Sequence, residues 1–175
     1  MEKFILERIY NEKDFNEFYE ILEDSFPEDE RRSKERQKEL FKNNLYRVIC
    51  YKKNNEIIAF IAYWNFSDFY YIEHFAVKKS YRNNKIGSRM LKDFLDSANN
   101  KVILEVEYPE DKITKARINF YKRMGFFLND YKYIQPSYEE GRKEIPLKIM
   151  SYKSEIDENE YNVFKDAVYS YVYKK

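Results

Sequence analysis

Hydrophobic residues recur along the chain at two spacings, and the switch between them lays out the elements. Phe4-Ile5-Leu6-Glu7-Arg8-Ile9 reads as a short first strand. Phe15, Phe18, Ile21 and Leu22 fall at helical spacing and predict a helix over 13–24. Phe26-Pro27 stops it, because the residue before a proline avoids helical geometry. Residues 28–43 are dense in charges of both signs and predict a second, mostly solvated helix. Two runs rich in β-formers follow, Tyr46 to Lys52 and Glu56 to Trp64, joined through the hairpin turn Lys53-Asn54-Asn55. A third run, Phe69 to Val77, comes after Ser67-Asp68, and the three together predict an antiparallel meander.

The texture then changes. Ile86, Met90, Leu91, Phe94, Leu95 and Ala98 share one helical face, and Asn99-Asn100 ends that helix. Val102 to Val106 is an apolar strand. Residues 112–124 predict a helix with Ile113, Ala116, Phe120 and Met124 on its core face and Gly125 at C′, where a positive φ is wanted. Phe126-Phe127-Leu128 leads into another strand and Leu147 to Met150 into a last one. The tail 157–173 reads as a helix, with Asp157 and Glu160 at its cap and Tyr161, Phe164, Val168 and Tyr171 on one stripe. A meander followed by strand–helix units predicts an α/β (α+β) fold: a mixed, largely antiparallel sheet with helices on both faces.

Composition narrows the function. Thirty-two Lys+Arg against 31 Asp+Glu leave a net charge of +1, which argues against a nucleic-acid or anionic-membrane partner. Eighteen Tyr and 14 Phe are unlike a disordered chain. One cysteine, Cys50, and one histidine, His74, exclude a disulfide framework and a Cys/His metal site, so no metal is expected. The longest apolar run, Ile57 to Trp64, is too short to span a bilayer, and the start Met1-Glu2-Lys3-Phe4 does not read as a signal peptide. The expectation is a cytoplasmic protein.

The chemistry concentrates where the third run ends. Residues 78–92 hold six bases (Lys78, Lys79, Arg82, Lys85, Arg89, Lys92) and no acid, at a strand–turn–helix junction. A helix N-terminus presents unpaired N–H groups and a positive dipole end, so ringing it with Lys and Arg suits a phosphate ligand. The alternative is a solvated basic helix start.

The segment Val77 through Arg82-Asn83-Asn84-Lys85-Ile86-Gly87-Ser88 resembles the acyl-CoA-binding core of the GNAT superfamily of N-acetyltransferases. That family's pattern is Gln/Arg-x-x-Gly-x-Gly/Ala after an apolar-x-Val step; Arg82, Gly87 and Val77 match, and Lys85 replaces the first glycine. A later block, Ile118-Asn119-Phe120-Tyr121-Lys122-Arg123-Met124-Gly125-Phe126, resembles the family's Phe-Tyr helix ending in Gly-Phe. The local likeness to spermidine/spermine N-acetyltransferases, at Tyr71–Val77 and Ile118–Arg123, does not imply their substrate.

The resemblance implies a GNAT-like acyltransferase domain over 1–152 with a helical extension, 153–175, packed on it. It implies acetyl-CoA as co-substrate and transfer of acetyl to a primary amine, in a small molecule or a peptide, within a ternary complex. Phe75, Ala76 and Val77 would offer backbone groups to the pantetheine arm. Arg82, Asn83, Asn84, Lys85, Ile86, Gly87 and Ser88 would hold the pyrophosphate, with Thr114 and Asn119 also facing the cofactor. Tyr121 would protonate the leaving thiolate. Glu73 would take the amine proton, directly or through water, and this has independent support. An attacking amine starts mostly protonated at neutral pH, and an unpaired carboxylate in an aromatic strand would be costly. His74, on the opposite strand face by alternation, is the lesser candidate. Glu23 and Asp24, in the acidic turn after the first helix, and Glu105, in the strand Val102 to Val106, are candidates to hold a cationic acceptor. A homodimer is left open. Two rival classes are a non-catalytic acyl-CoA-binding module on the same fold and a nucleic-acid-binding module built on the basic run.

Overall fold

The hairpin turn shows how closely local chemistry fixes the backbone: Asn54 and Asn55 both sit at positive φ, 51° and 63°. Asparagine tolerates that region, and two such residues in succession match the twist of the strands they join. The computed structural model describes residues 4–175 and divides them into two compact units, the first ending at Asn100 and the second running Lys101–Lys175.

In the first unit β1 (Glu7–Arg8), β2 (Tyr46–Lys53), β3 (Glu56–Asn65) and β4 (Phe69–Val77) pair in sequence order, every pair antiparallel. Ile57 to Ala62 of β3 are buried without exception, because a helix covers each sheet face. Helix α1 (Glu12–Ser25) covers one, with Phe18 edge-on to Phe60 at 4.7 Å. Helix α3 (Ile86–Ser97) covers the other, with Phe94 on Tyr63 at 4.9 Å. Asn11 caps α1 by accepting from the Asp14 N–H at 2.8 Å.

Two expectations are corrected here. Only Glu7–Arg8 of the first predicted strand pairs as a strand. Residues 28–43 are not one helix: a 3₁₀ turn (Glu28–Glu30) is followed by extended backbone at Arg31 and then by α2 (Lys34–Leu40). Long-range contacts outweigh local helix preference. The Tyr19 hydroxyl donates to the Arg32 carbonyl at 2.9 Å, and the Arg31 guanidinium reaches that hydroxyl at 3.1 Å.

In the second unit β7 (Ile145–Tyr152) is the central strand, pairing antiparallel with β5 (Lys101–Glu107) and with β6 (Phe126–Gln135). Helix α4 (Lys112–Arg123) ends at Gly125, whose φ of +93° is the expected left-handed stop. The predicted core stripe of α4 is wrong. Ile113 is 70% exposed and Ala116 is exposed, whereas Ile118 and Tyr121 are buried. The helix carries two apolar stripes, and the one bearing the Tyr121 ring packs, edge-on to Phe126 at 5.5 Å.

The tail forms α5 (Glu158–Ala167), capped by Asp157 and Glu160 as anticipated, and then a π-helical end, Val168–Tyr173. The wider π turn carries Tyr171 outward and buries Val172 and Tyr173 instead. No described helix is long and apolar enough to cross a membrane.

Candidate active site

The end of β4 is held by β3 in register: Phe75, Ala76 and Val77 oppose Ile61, Phe60 and Ala59. The Lys78 N–H donates to Ile58 at 2.8 Å, so antiparallel alternation turns the backbone groups of Phe75 and Val77 away from β3. The Val77 carbonyl accepts from Arg82 Nε at 3.0 Å, which folds the following turn back onto the strand. Arg82 also reaches the Ser25 hydroxyl at 3.4 Å.

The turn leads into α3 through Lys85, at φ +59°, with Asn83 also left-handed at +65°. Lys85, in the family pattern's first glycine position, thus adopts the backbone a glycine would supply, at a conformational cost. Arg89 is the first residue to donate back, to the Lys85 carbonyl at 3.1 Å, so the N–H groups of Ile86, Gly87 and Ser88 have no intrahelical acceptor. No side chain caps this end and its first turn holds no acid.

Of the six bases, Lys78 pairs with Glu56 at 3.3 Å, Lys92 pairs with Asp96, and Arg89 lies over the Phe4 ring at 5.3 Å. Lys79 and Lys85 are exposed and form no ion pair among the described residues. A Cβ on Gly87 would meet Val77 at 3.4 Å and Phe75 at 3.5 Å, ordinary contact distances. Protein packing therefore does not demand glycine there, and its bareness leaves the helix start open. The donor set fits a pyrophosphate: unpaired N–H groups, free lysines and no competing carboxylate.

Glu73 is placed otherwise than strand alternation implies. In the β3–β4 ladder Ala62 opposes His74 and Tyr63 opposes Ile72, so Glu73 is the extra residue of a β-bulge. The bulge turns Glu73 to the same side as His74, the face covered by α1, instead of the side of Phe75 and Val77. Its side chain is 0% exposed. Oε1 meets Arg32 Nη1 at 2.8 Å, and Oε2 accepts from Trp64 Nε1 at 3.0 Å. With both carboxylate oxygens engaged and the side chain out of solvent, Glu73 is not open to direct contact with an amine in this structure.

His74 is likewise buried, its Nε2 2.8 Å from the Glu30 carbonyl and its ring edge-on to Phe26 at 4.7 Å. Burial pushes its pKa down, against the opposing pull of Glu73. Near the same segment Glu23 pairs with Arg31 at 3.3 Å, while Asp24 is exposed.

In the second unit the Tyr121 ring is buried, and burial pushes its phenol up to about 12, slightly offset by Arg117. Its hydroxyl makes no hydrogen bond among the described residues. The Thr114 hydroxyl accepts from the Asp111 N–H at 3.1 Å in a capping box, so it has a helix-capping partner in this structure. Asn119 is exposed on the same helix. Glu105 accepts hydrogen bonds from the hydroxyls of Tyr133 and Tyr173, the latter at 3.1 Å, and Glu107 pairs with Arg117. Sequence reasoning missed Arg32, one of many charges in a charged stretch, and Trp64, the end of an apolar run; no local signal marks either as a partner of Glu73.

Residues 15–126 match the model of the acetyltransferase (GNAT) family, and the chain belongs to that family. An acetyltransferase from Bacteroides thetaiotaomicron assigned to the GNAT family is 32% identical and superposes with a TM-score of 0.89, covering 98% of this chain and 99% of its own. Two more distant structures share the fold. The ribosomal-protein-S18-alanine N-acetyltransferase of Escherichia coli is 20% identical, with a TM-score of 0.64 over 90% of this chain and 98% of its own. A GNAT acetyltransferase from Elizabethkingia anophelis with acetyl-CoA bound is 19% identical, with a TM-score of 0.62 over 86% and 98%. No curated protein matches the chain.

Proposed function

We propose that the protein is an acetyl-CoA-dependent N-acetyltransferase acting on a primary amine. One observation carries this: the open, acid-free start of α3, fronted by a left-handed Lys85 and bare Gly87, in a chain of the acetyltransferase family. The bound acetyl-CoA of the Elizabethkingia relative and the alanine acceptor of the Escherichia coli one support the same reading.

The N–H groups of Ile86, Gly87 and Ser88, with Lys85 and Lys79, bind the pyrophosphate. The outward backbone groups of Phe75 and Val77, flanking Ala76, orient the pantetheine arm, and a donor there faces the oxygen that gains charge as the amine attacks. Asn119, exposed on α4, is a cofactor-binding candidate by the family resemblance. The nitrogen–carbon bond forms as the carbon–sulfur bond breaks, and by its likeness to the family's Phe-Tyr helix Tyr121 is assigned to the departing sulfur.

A phenol pushed up to about 12 is a poor acid. Against a thiol of ordinary pKa, roughly 8.5, full proton transfer is uphill by about 5 kcal/mol. Tyr121 therefore serves as a hydrogen-bond donor to the thiolate, and the proton released by the acylated nitrogen passes through water to the departing sulfur. Burial pushes the Cys50 thiol up to about 12, which suits direct transfer without a cysteinyl intermediate. Glu23 and Asp24 in the first unit supply negative charge for a cationic acceptor; Glu105, engaged by the hydroxyls of Tyr133 and Tyr173, is a separate acidic candidate.

The test is a panel of amines and short peptides with acetyl-CoA, following thiol release. Turnover on an amine supports the reading. CoA binding without turnover on any acceptor would convert it to a binding module.

A further inference from the structure

Glu73 and His74 are consecutive, yet both side chains reach one segment, residues 26–32. Glu73 pairs with Arg32 at 2.8 Å, the His74 Nε2 meets the Glu30 carbonyl at 2.8 Å, and the Phe26 ring packs on His74. A regular strand would send two neighbours to opposite faces; the bulge at Glu73 lets both grip the same segment. The segment is also fastened to α1, where the Tyr19 hydroxyl donates to the Arg32 carbonyl at 2.9 Å, and it is braced internally by Arg31 Nε, which donates to the Phe26 carbonyl at 3.1 Å.

We infer that Arg32 and Glu73 form a buried electrostatic latch, which makes both of them positioning residues for the amine acceptor and takes Glu73 out of the proton path. Both side chains are withdrawn from water, Arg32 at 7% exposure and Glu73 at none. Protonating Glu73 would leave the Arg32 charge buried beside a neutral acid, the costly state for such a pair. With Oε1 on Arg32 and Oε2 on Trp64, the carboxylate is built to hold a geometry. What it holds is the segment that follows Glu23 and Asp24. This inference rests on the proposed acetyl transfer and on those two acids facing the acceptor. The latch then sets the acceptor's KM, and chemistry at the thioester proceeds without a protein base at position 73.

The experiment compares Glu73→Gln, Arg32→Met and the double variant, by steady-state kinetics with acetyl-CoA and the best amine from about pH 6.5 to 9, and by thermal melts. Each single variant leaves a buried partner uncompensated and should raise the amine KM by about tenfold or more, with kcat within about fivefold and an unshifted pH profile. The double variant removes both charges and should recover KM to within about threefold of the parent, with a higher Tm than either single variant. If Glu73→Gln instead loses about a hundredfold in kcat, regained at high pH, and the double variant does not recover, Glu73 is the base and the inference is overturned. If Arg32→Met fails to fold, Arg32→Lys takes its place: retained charge should keep KM near the parent's, and a KM as high as that of Glu73→Gln counts against the latch. If the parent turns over no amine, the acetyl-transfer reading fails on its own. The melts still judge the pair, since additive losses of Tm in the double variant overturn the coupling.

Discussion

The bulge of β4 and the turn at 82–88 lie a few residues apart in sequence and treat charge in opposite ways. At the bulge, Glu73 is withdrawn from solvent, with one carboxylate oxygen on Arg32 and the other on Trp64. At the turn, Lys79 and Lys85 stay exposed and three N–H groups of α3 have no intrahelical acceptor. A charge that folding has neutralised holds structure, whereas a charge or donor left open by an ordered backbone is available for binding. Charged residues in the sequence do not announce which of the two they will be; the partners do.

The largest way to break this comparison is to unbalance the closed side. Arg32→Ala leaves Glu73 buried without its ion-pair partner and should cost about 3–5 kcal/mol of stability, read by urea unfolding. A loss below ~1 kcal/mol would show the pair to be solvated in practice.

The next effect is on turnover. Tyr121→Phe keeps the buried ring and deletes the hydroxyl that bonds to nothing in the described chain. We expect the Tm to hold and kcat to fall by ~10²-fold. A Tm that falls in step with kcat would make the residue structural.

On the open side, Gly87→Ala has room against Val77 and Phe75, so it should fold with an unchanged Tm. It should weaken CoA by about tenfold in calorimetry, and Gly87→Val by more, because the added carbon stands where the ligand must approach the helix start. Equal CoA affinity in all three proteins would remove the pyrophosphate from this turn.

A smaller effect follows from His74. Its folded-state pKa is depressed by burial, with Arg32 and Arg31 also lowering it and Glu73 and the Glu30 carbonyl raising it. The unfolded chain therefore binds the extra proton first as pH falls. The contribution to stability is complete above about pH 6.5 and is lost below it, at up to about 1.4 kcal/mol per pH unit until the folded value is reached. His74→Gln should flatten that acid limb in melts between about pH 5 and 7. An unchanged slope would assign the limb to carboxylates.

The smallest expected change is a gain. Lys85→Gly relieves a left-handed lysine and should stabilise the fold by roughly 0.5–1 kcal/mol, while removing one exposed cation from the turn and weakening CoA slightly. A loss of stability would mean that the lysine stem packs on the turn.

Much of the fold was legible because its determinants are local. The meander, the hairpin asparagines, the α3 stripe, the Gly125 stop and the Asp157–Glu160 cap each depend on residues within a turn or two of one another. The basic, acid-free approach to α3 was legible for the same reason. The α4 stripe misled because Ile113, Ala116, Phe120 and Met124 repeat as well as Thr114, Ile118 and Tyr121 do, and helical period alone does not say which face is offered a neighbour. The helix drawn over 28–43 failed because Tyr19, outside that window, holds the Arg32 carbonyl and the Arg31 guanidinium, and Arg31 takes extended backbone. The sequence by itself determined which segments are amphipathic, where they stop and which helix start carries the cations. Only the tertiary structure decided that Glu73 faces Arg32. A one-residue bulge reverses the side a strand residue presents, and it arises from pairing with β3 and packing under α1, contacts that no local spacing encodes.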